Sequence, residues 1–395
     1  MSASRTQVAV IGAGPAGLVL AHLLARADID AVVLETRSRE YVEHRQRAGI
    51  LENDVVRLLR ELGLGHRLDR EGLEHGGIYL QFAGERHHVD FRGLTGRTVT
   101  AYAQTEVVKD AVASLLAAGR PLEFEVTDVA LHDVTTDTPR VTYRTADGED
   151  RELVCDIIAG CDGFHGPSRE MVPPEKLRVL ERGYPYAWLG ILADVAPSTD
   201  ELIYAHHPNG FSLHSMRSLK VSRLYLQVPA DEDIEGWPDD RIWAELQTRL
   251  GLPGWTLHEG PVREKGITAM RSFVAAPMRH GRLLLAGDAG HIVPPTGAKG
   301  LNLAVADVTV LAEAVIPFLD KGDTRLLDEY SQTCLDRVWR ATHFSWWMTS
   351  MLHTDPAADD FAKQLQLTQL RQVSSSEAAM TSLAENYTGL PLPGL

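Results

Sequence analysis

Residues 7–11 (QVAVI) form a short run rich in β-branched apolar residues, which predicts a buried strand. A glycine-rich turn occupies residues 12–17. Leu20, Leu23, Leu24 and Ala27 then recur at helical spacing, with Pro15 near the first helical turn, where its missing N–H costs nothing. Residues 31–35 (AVVLE) read as a second strand. Strand, turn, helix and strand in such quick succession predict a βαβ unit, and hence a parallel sheet. Further helices are predicted over residues 55–64, 105–118, 239–250, 299–318 and most of 326 to the end. Buried strands are predicted at 155–160 and 282–286 (RLLLA). Residues 78–102 alternate as hairpins, and 126–154 alternate around Asp147-Gly148, a hairpin signal. Residues 184–229, with the turn Pro208-Asn209-Gly210, read as antiparallel sheet and a second domain. A nucleotide-binding fold split by a sheet domain is the organisation these patterns imply, with no repeats and no low-complexity tract.

Composition narrows the class. Apolar residues make up 44% and charged residues 24% of 395, as in globular chains and unlike disordered ones. A net charge of −15 argues against a nucleic-acid partner, which needs a basic surface. Three cysteines, Cys155, Cys161 and Cys334, are too few for a disulfide framework and fit a reducing cytoplasm. Residues 8–25 carry no formal charge and resemble a leader or membrane span, but Gly12, Gly14, Pro15 and Gly17 would break a spanning helix at its middle. The chain is therefore expected to be soluble and cytoplasmic, with no targeting segment and no membrane association. No metal site is expected: His87-His88 and His206-His207 are adjacent pairs whose side chains point to opposite faces of a strand, and Cys155 and Cys161 are not a CxxC pair.

Three motifs carry chemistry. In the first, Gly12, Gly14 and Gly17 permit a tight turn and close approach of a pyrophosphate to a helix N-terminus. Glu35, at the end of the next strand, can accept hydrogen bonds from a ribose diol. This motif alone leaves NAD and FAD both open. The second, AGCDG at residues 159–163, is followed by GPSR at 166–169. The third is GRLLLAGDAGH at 281–291, followed by PPTGAKGLN at 294–302. In it Asp288 can bond a ribityl hydroxyl, and the helix N-terminus near Lys299 and Gly300 can face an anionic ring system.

The three motifs in this order resemble the single-component (class A) flavoprotein aromatic hydroxylases. The segments RAGILE, YAQTEV, IAGCDGFHG, ELIYAHHPNGF, MRSF, LAGDAGHIVPPTGAKGLNLA, FSWWMTS and AENYTGLP are similar to the branch of that family that acts on 4-hydroxybenzoate, over residues 5–391. The resemblance implies a mixed α/β chain with a glutathione-reductase-like FAD-binding fold, interleaved with a mostly antiparallel substrate domain and a helical C-terminal region. The implied division is 1–75, 100–180 and 268–345 for FAD, 76–99 and 181–267 for substrate, and 346–395 for the C-terminal region. The implied activity is hydroxylation of 4-hydroxybenzoate to 3,4-dihydroxybenzoate with FAD, NADPH or NADH, and O2, in a homodimer.

The resemblance also assigns residues. Gly12, Gly14, Gly17, Glu35, Arg45, Arg47, Gln104, Asp162 and Asp288 match FAD contacts, with Arg47 near the pyrophosphate. Lys299, Leu301 and Asn302 match positions beside the isoalloxazine. Ser215, Arg217 and Tyr225 match the set that holds the substrate carboxylate. Tyr204 and Tyr387 match a pair that bonds the phenol and relays its proton, and His75 the outer end of that relay. The carbonyl of Pro295 matches one lying over the substrate hydroxyl. Arg45, His165, Arg169 and Arg271 match nicotinamide-nucleotide contacts. The residue types suit these roles. A guanidinium offers a planar fork to a carboxylate. Tyrosine has a pKa of ~10, close to that of a phenol, so tyrosines can pass its proton toward a histidine. One position departs from the pattern: Thr36 follows Glu35 where an arginine would favour a 2′-phosphate, although Arg37 and Tyr41 are present. Use of NADH, or of both nucleotides, is therefore expected. Two other readings stay open from sequence: a hydroxylase of another hydroxy- or aminobenzoate, and a non-catalytic nucleotide-binding protein.

Overall fold

The computed structural model describes residues 2–45 and 49–392; Arg47 lies outside them. The βαβ unit is present as Val8–Ile11, Pro15–Arg26 and Ala31–Leu34, with Val10 paired to Val33 in a parallel register. These strands belong to a six-stranded sheet ordered Arg279–His280, Leu283–Leu285, Ile157–Gly160, Val8–Ile11, Ala31–Leu34 and Leu122–Glu123. Only its first edge pair is antiparallel. The helices Pro15–Arg26, Gln104–Ala117 and Gly300–Lys321 share one core with this sheet. Leu18, Leu20 and Leu24 of the first helix are fully buried there. Gly17 is forced by this packing, because a Cβ would run into the Gly12 carbonyl.

A second, eight-stranded mixed sheet holds Arg178–Ala193, Leu202–Ala205, Ser212–Ser218, Val221–Pro229 and Val262–Ala276. The hairpin Gly77–Phe82 and Glu85–Asp90 extends one edge, and His291–Ile292 the other. Its two faces have different partners. Leu189, Ile191, Leu224 and Leu226 pack on the helix Asp239–Leu250. Tyr204, Leu213 and Trp188 face Phe344, Met348 and Tyr387, from the helices Arg325–Leu352 and Glu377–Thr388.

Several expected elements end elsewhere, each for a local reason. The hairpin after residue 78 stops at Asp90, whose carboxylate caps the short helix Phe91–Thr95 by accepting the Gly93 N–H at 2.9 Å. Val99–Ala101 then joins a separate small sheet with Ile50–Glu52 and Leu73–His75. The helix expected at 55–64 is Asn53–Glu61, ended by Gly63 at φ +76 and followed by a second helix, Gly65–Glu71. The helix Arg325–Leu352 runs unbroken past residue 346.

The helix Gly300–Lys321 is long and apolar enough to cross a membrane by length and composition, yet 72% of its most apolar window is buried inside the protein. At its middle the buried Asp307 accepts the Gly287 N–H at 2.9 Å and meets His291 Nε2 at 2.5 Å. Burial disfavours the charged imidazole, but the Asp307 carboxylate outweighs it and raises the His291 pKa above 6.5. A raised folded pKa means that the pair stabilises fully below the unfolded value and loses that contribution as pH rises through the folded one. Unfolding free energy, measured by urea titration across pH, should therefore fall with rising pH above 6.5 in a way that Asp307→Asn abolishes. Parallel pH profiles for the two proteins would contradict the pairing.

Candidate active site

Three adjacent parallel strands end level with one another: Gly160 is paired to Ile11 on one side and to Leu285 on the other. Gly12, Asp162 and Asp288 therefore emerge side by side at the carboxyl edge of the sheet, where open α/β sheets bind ligands. Gly12 sits at φ +100 against the Cys161 carbonyl, and a Cβ on Gly14 would meet only open space. No side chain caps the helix that starts at Pro15, and its first turn holds no acid, so free N–H groups and the positive end of the dipole face that space. Glu35 braces the turn, accepting the Ala13 N–H and the Arg37 N–H, each at 2.7 Å. One Asp162 oxygen accepts the Ser168 N–H at 2.8 Å, the other is buried without a partner, and burial raises the carboxyl pKa. Asp288 is exposed to the cleft, and Gln104 opens the helix Gln104–Ala117, half-buried.

The helix Gly300–Lys321 also begins without a side-chain cap, leaving the Leu301 and Asn302 N–H groups outside its hydrogen-bond ladder. The flanking side chains turn inward. Lys299 Nζ donates to Glu52 Oε1 at 2.6 Å and to the Tyr387 carbonyl at 3.0 Å. Burial lowers its pKa against the opposing pull of Glu52. Asn302 accepts the Glu52 N–H and donates to the carbonyls of Ile50 and Ala298, which uses its whole amide. An open cradle at Gly14, an unsatisfied Asp162 oxygen and two uncapped helices together fit a dinucleotide with its central pyrophosphate at the first helix and a ring system able to carry negative charge at the second.

Beside this cleft, strand register assembles a polar wall. Leu213 lies opposite Tyr225 and Ser215 opposite Arg223, and directly opposed residues share a face. Tyr204, opposite Leu213 on the next strand, joins the same face. Gly190, opposite Tyr225, leaves room there: its Cβ would stand 2.9 Å from the Arg223 guanidinium. Ser215 donates to the Arg223 carbonyl at 2.8 Å, and Arg223 Nε donates to the Tyr225 hydroxyl at 3.2 Å. Arg217 sits at the strand irregularity between Met216 and Ser218, half-buried, with its guanidinium against Gly49. Burial alone would raise the Tyr225 pKa, but Arg223 and Arg217 together bring it below 10.0.

The Tyr204 and Tyr387 hydroxyls meet at 2.6 Å, although 183 residues separate them. Burial raises both pKa values above 10.0, so both hydroxyls stay protonated and neutral. His75 is fully buried, makes no direct hydrogen bond to Tyr387, and neither ring nitrogen has a partner. Burial lowers its pKa against the pull of Glu201 and Asp200. The Pro295 carbonyl accepts the Ala298 N–H at 2.9 Å, leaving one lone pair. On another surface, Phe164 gathers the remaining candidates. Arg271 lies 3.7 Å and Arg169 4.6 Å over its ring, and His165 meets its edge. Arg45 is apart from these, 5.9 Å over the ring of Tyr41, which Arg37 also covers at 5.3 Å.

Sequence reading passed over Arg223 and Glu52. Arg223 was within reach, since it alternates with Tyr225 on one strand and period two puts both on one face. Glu52 carried no local signal, because its partner Lys299 is 247 residues away.

A family profile described as an FAD binding domain matches residues 5–345. The chain is 48% identical to p-hydroxybenzoate hydroxylase of Acinetobacter baylyi, over 99% of this chain and 97% of that one. It is 26% identical to the 3-(3-hydroxy-phenyl)propionate/3-hydroxycinnamic acid hydroxylase of Burkholderia cenocepacia, over 78% of this chain and 56% of that one. Among solved structures, p-nitrophenol 4-monooxygenase of Pseudomonas putida superposes with a TM-score of 0.83 at 21% identity, covering 99% of this chain and all of that one, a likeness of fold. With an FAD-binding profile across most of its length and a full-length relative at nearly half identity, the chain belongs to the flavoprotein aromatic hydroxylases, in the family of p-hydroxybenzoate hydroxylase.

Proposed function

We propose that this protein hydroxylates 4-hydroxybenzoate at the carbon ortho to its hydroxyl: 4-hydroxybenzoate, NAD(P)H, a proton and O2 give 3,4-dihydroxybenzoate, NAD(P)+ and water. The observation that carries this reading is the sheet face bearing Tyr204, Ser215, Arg223 and Tyr225, with Arg217 at the strand irregularity beside it and the Tyr204–Tyr387 contact at one end. FAD would be held by the turn at Gly12, Gly14 and Gly17, by Glu35, Asp162, Asp288 and Gln104, by Arg45 and Arg47, and by the backbone at Leu301 and Asn302. When bound, it supplies electron transfer from the nicotinamide nucleotide and activation of dioxygen, which protein side chains cannot do.

The chain's own residues bind, orient and deprotonate. Arg217 takes the substrate carboxylate in a charge-assisted pair, helped by Ser215 and Tyr225. At the other end the phenol donates to Tyr204, with the free lone pair of the Pro295 carbonyl close to the same hydroxyl. As Tyr204 accepts that proton it passes its own to Tyr387, and His75 is the outer acceptor of the relay. A deprotonated phenol makes the ring electron-rich at the ortho carbon, so the relay prepares the substrate for oxygen transfer. Phe164, His165, Arg169 and Arg271 form the landing surface for the nicotinamide nucleotide. The division of labour is residues 1–75, 100–180 and 268–345 for the flavin, and 76–99 and 181–267 for the substrate. A cytoplasmic homodimer free of membrane belongs to the same reading.

The direct test is 4-hydroxybenzoate-dependent oxidation of NAD(P)H with identification of the product. Turnover on another benzoate but not on this one would redirect the substrate assignment. Arg217→Ala should raise the 4-hydroxybenzoate KM by tenfold or more, since a buried charge-assisted contact is worth about 2–3 kcal/mol; an unchanged KM refutes that docking. Tyr204→Phe should still oxidise NAD(P)H in the presence of substrate but release hydrogen peroxide in place of hydroxylated product. Full coupling in that variant would remove the relay. Because Thr36 stands where a cation would hold a 2′-phosphate, initial rates should show NADH used alone or alongside NADPH. A preference for NADPH of about tenfold or more in kcat/KM, the size of one lost contact, would overturn this.

A further inference from the structure

The last turn of the helix Arg325–Leu352 meets the polar wall through a histidine that the mechanism above does not use. Trp188 Nε1 donates to His353 Nε2 at 2.6 Å, and His353 Nδ1 bonds the Thr349 carbonyl at 2.9 Å. An indole N–H can only donate and a carbonyl can only accept, so these two bonds fix the tautomer, with the proton on Nδ1 and the lone pair on Nε2. The imidazole is buried between Phe211 at 4.4 Å and Tyr186 at 4.7 Å. Burial pushes its pKa down to about 3, which keeps it neutral.

The joint reaches both ends of the substrate pocket. On one side the Trp188 ring lies 4.7 Å from the ring of Tyr225. On the other, the Thr349 hydroxyl meets the Thr296 hydroxyl at 2.8 Å, next to Pro295 in the chain. Gln227, opposite Trp188 in the sheet, clamps the following residue: its amide oxygen accepts the Thr354 N–H at 3.0 Å and its nitrogen donates to the Thr354 carbonyl at 2.6 Å. Thr296, Thr349, His353 and Trp188 are all buried. A buried hydrogen-bonded chain thus runs from the turn that carries Pro295 to the wall that carries Tyr225.

We propose that His353 is a positioning residue of the substrate pocket: by accepting a hydrogen bond from the Trp188 indole N–H it holds that ring against Tyr225, at the carboxylate end. The proposal rests on the substrate reading above. Its consequence is tighter binding of the substrate at the carboxylate end, where Tyr225 stands.

Two substitutions separate positioning from packing. His353→Gln places an amide oxygen where Nε2 sits and keeps the Trp188 bond. His353→Asn reaches only the Nδ1 position and leaves the indole N–H buried without an acceptor. In the FAD-loaded enzyme, the 4-hydroxybenzoate Kd is read from the perturbation of flavin absorbance, with Trp emission and Tm recorded on the same samples. His353→Asn should raise Kd and KM about tenfold, the size of one weakened substrate contact once the Trp188 ring no longer holds Tyr225 in place, with a smaller effect on kcat. His353→Gln should stay near the wild type in Kd and Trp emission, even where Tm falls as far as in the Asn variant. Should His353→Asn fail to fold, Trp188→Phe, which keeps a ring but removes the donor, should show the same rise in Kd. Equal Kd values in wild type and in the folded variants, or equal losses in Gln and Asn, overturn the proposal alone. A wild-type enzyme that binds no 4-hydroxybenzoate overturns the substrate reading and this proposal with it.

Discussion

Two helix N-termini that no side chain caps, at Gly14 and at Lys299, govern the arrangement of this protein. Each leaves backbone N–H groups without intrahelical partners and presents the positive end of a helix dipole. A soluble helix usually answers this with a serine, threonine or aspartate. Here the turn before the first helix offers glycines, and Lys299 before the second points away to Glu52. Both ends lie open to an anionic ligand, and the function proposed above has one dinucleotide span them. Placing the ring system at the second helix dictates where everything else must stand.

The substrate wall follows from that placement. A guanidinium is hard to bury, and this sheet face holds Arg217 and Arg223 within the surroundings of Tyr225, where burial and the two cations act on the phenol in opposite directions. Such a face suits a small acid with an aromatic ring better than a neutral ligand. The tyrosine pair at its far end is neutral and fully buried, which suits groups that hand protons on and keep none. The C-terminal helices close this compartment: Tyr387 comes from one, and the Thr349–His353 turn from another.

Sequence made the first half of the site readable and left much of the second half hidden. Glycine turns, terminal acids and helix starts are local signals, so Gly12, Glu35 and Asp288 stood out without any long-range knowledge, whereas Asp162 gained a role only through resemblance. Ser215, Arg217 and Tyr225 came together through resemblance to a family, and period two on the strand of Tyr225 reaches Arg223. Contacts between distant segments left no such mark. Tyr204 with Tyr387 was available only through resemblance to a family, and Glu52 with Lys299, Asp307 with Gly287 and His353 with Trp188 emerge only when the chain is folded. Asn302 shows the limit of position alone: it lies at the start of the right helix, yet its amide is spent on Glu52, Ile50 and Ala298, which leaves its backbone N–H as the group that faces the cleft.

Oxygen transfer at this wall is the step that every proposed residue role serves. Turnover of 4-hydroxybenzoate under oxygen-18 gas, followed by mass spectrometry of the aromatic product, reads that step directly. A 3,4-dihydroxybenzoate carrying a single heavy oxygen, at the carbon beside the original hydroxyl, is the predicted result. An unlabelled diol, or consumption of the gas with the aromatic acid recovered unchanged, would contradict it.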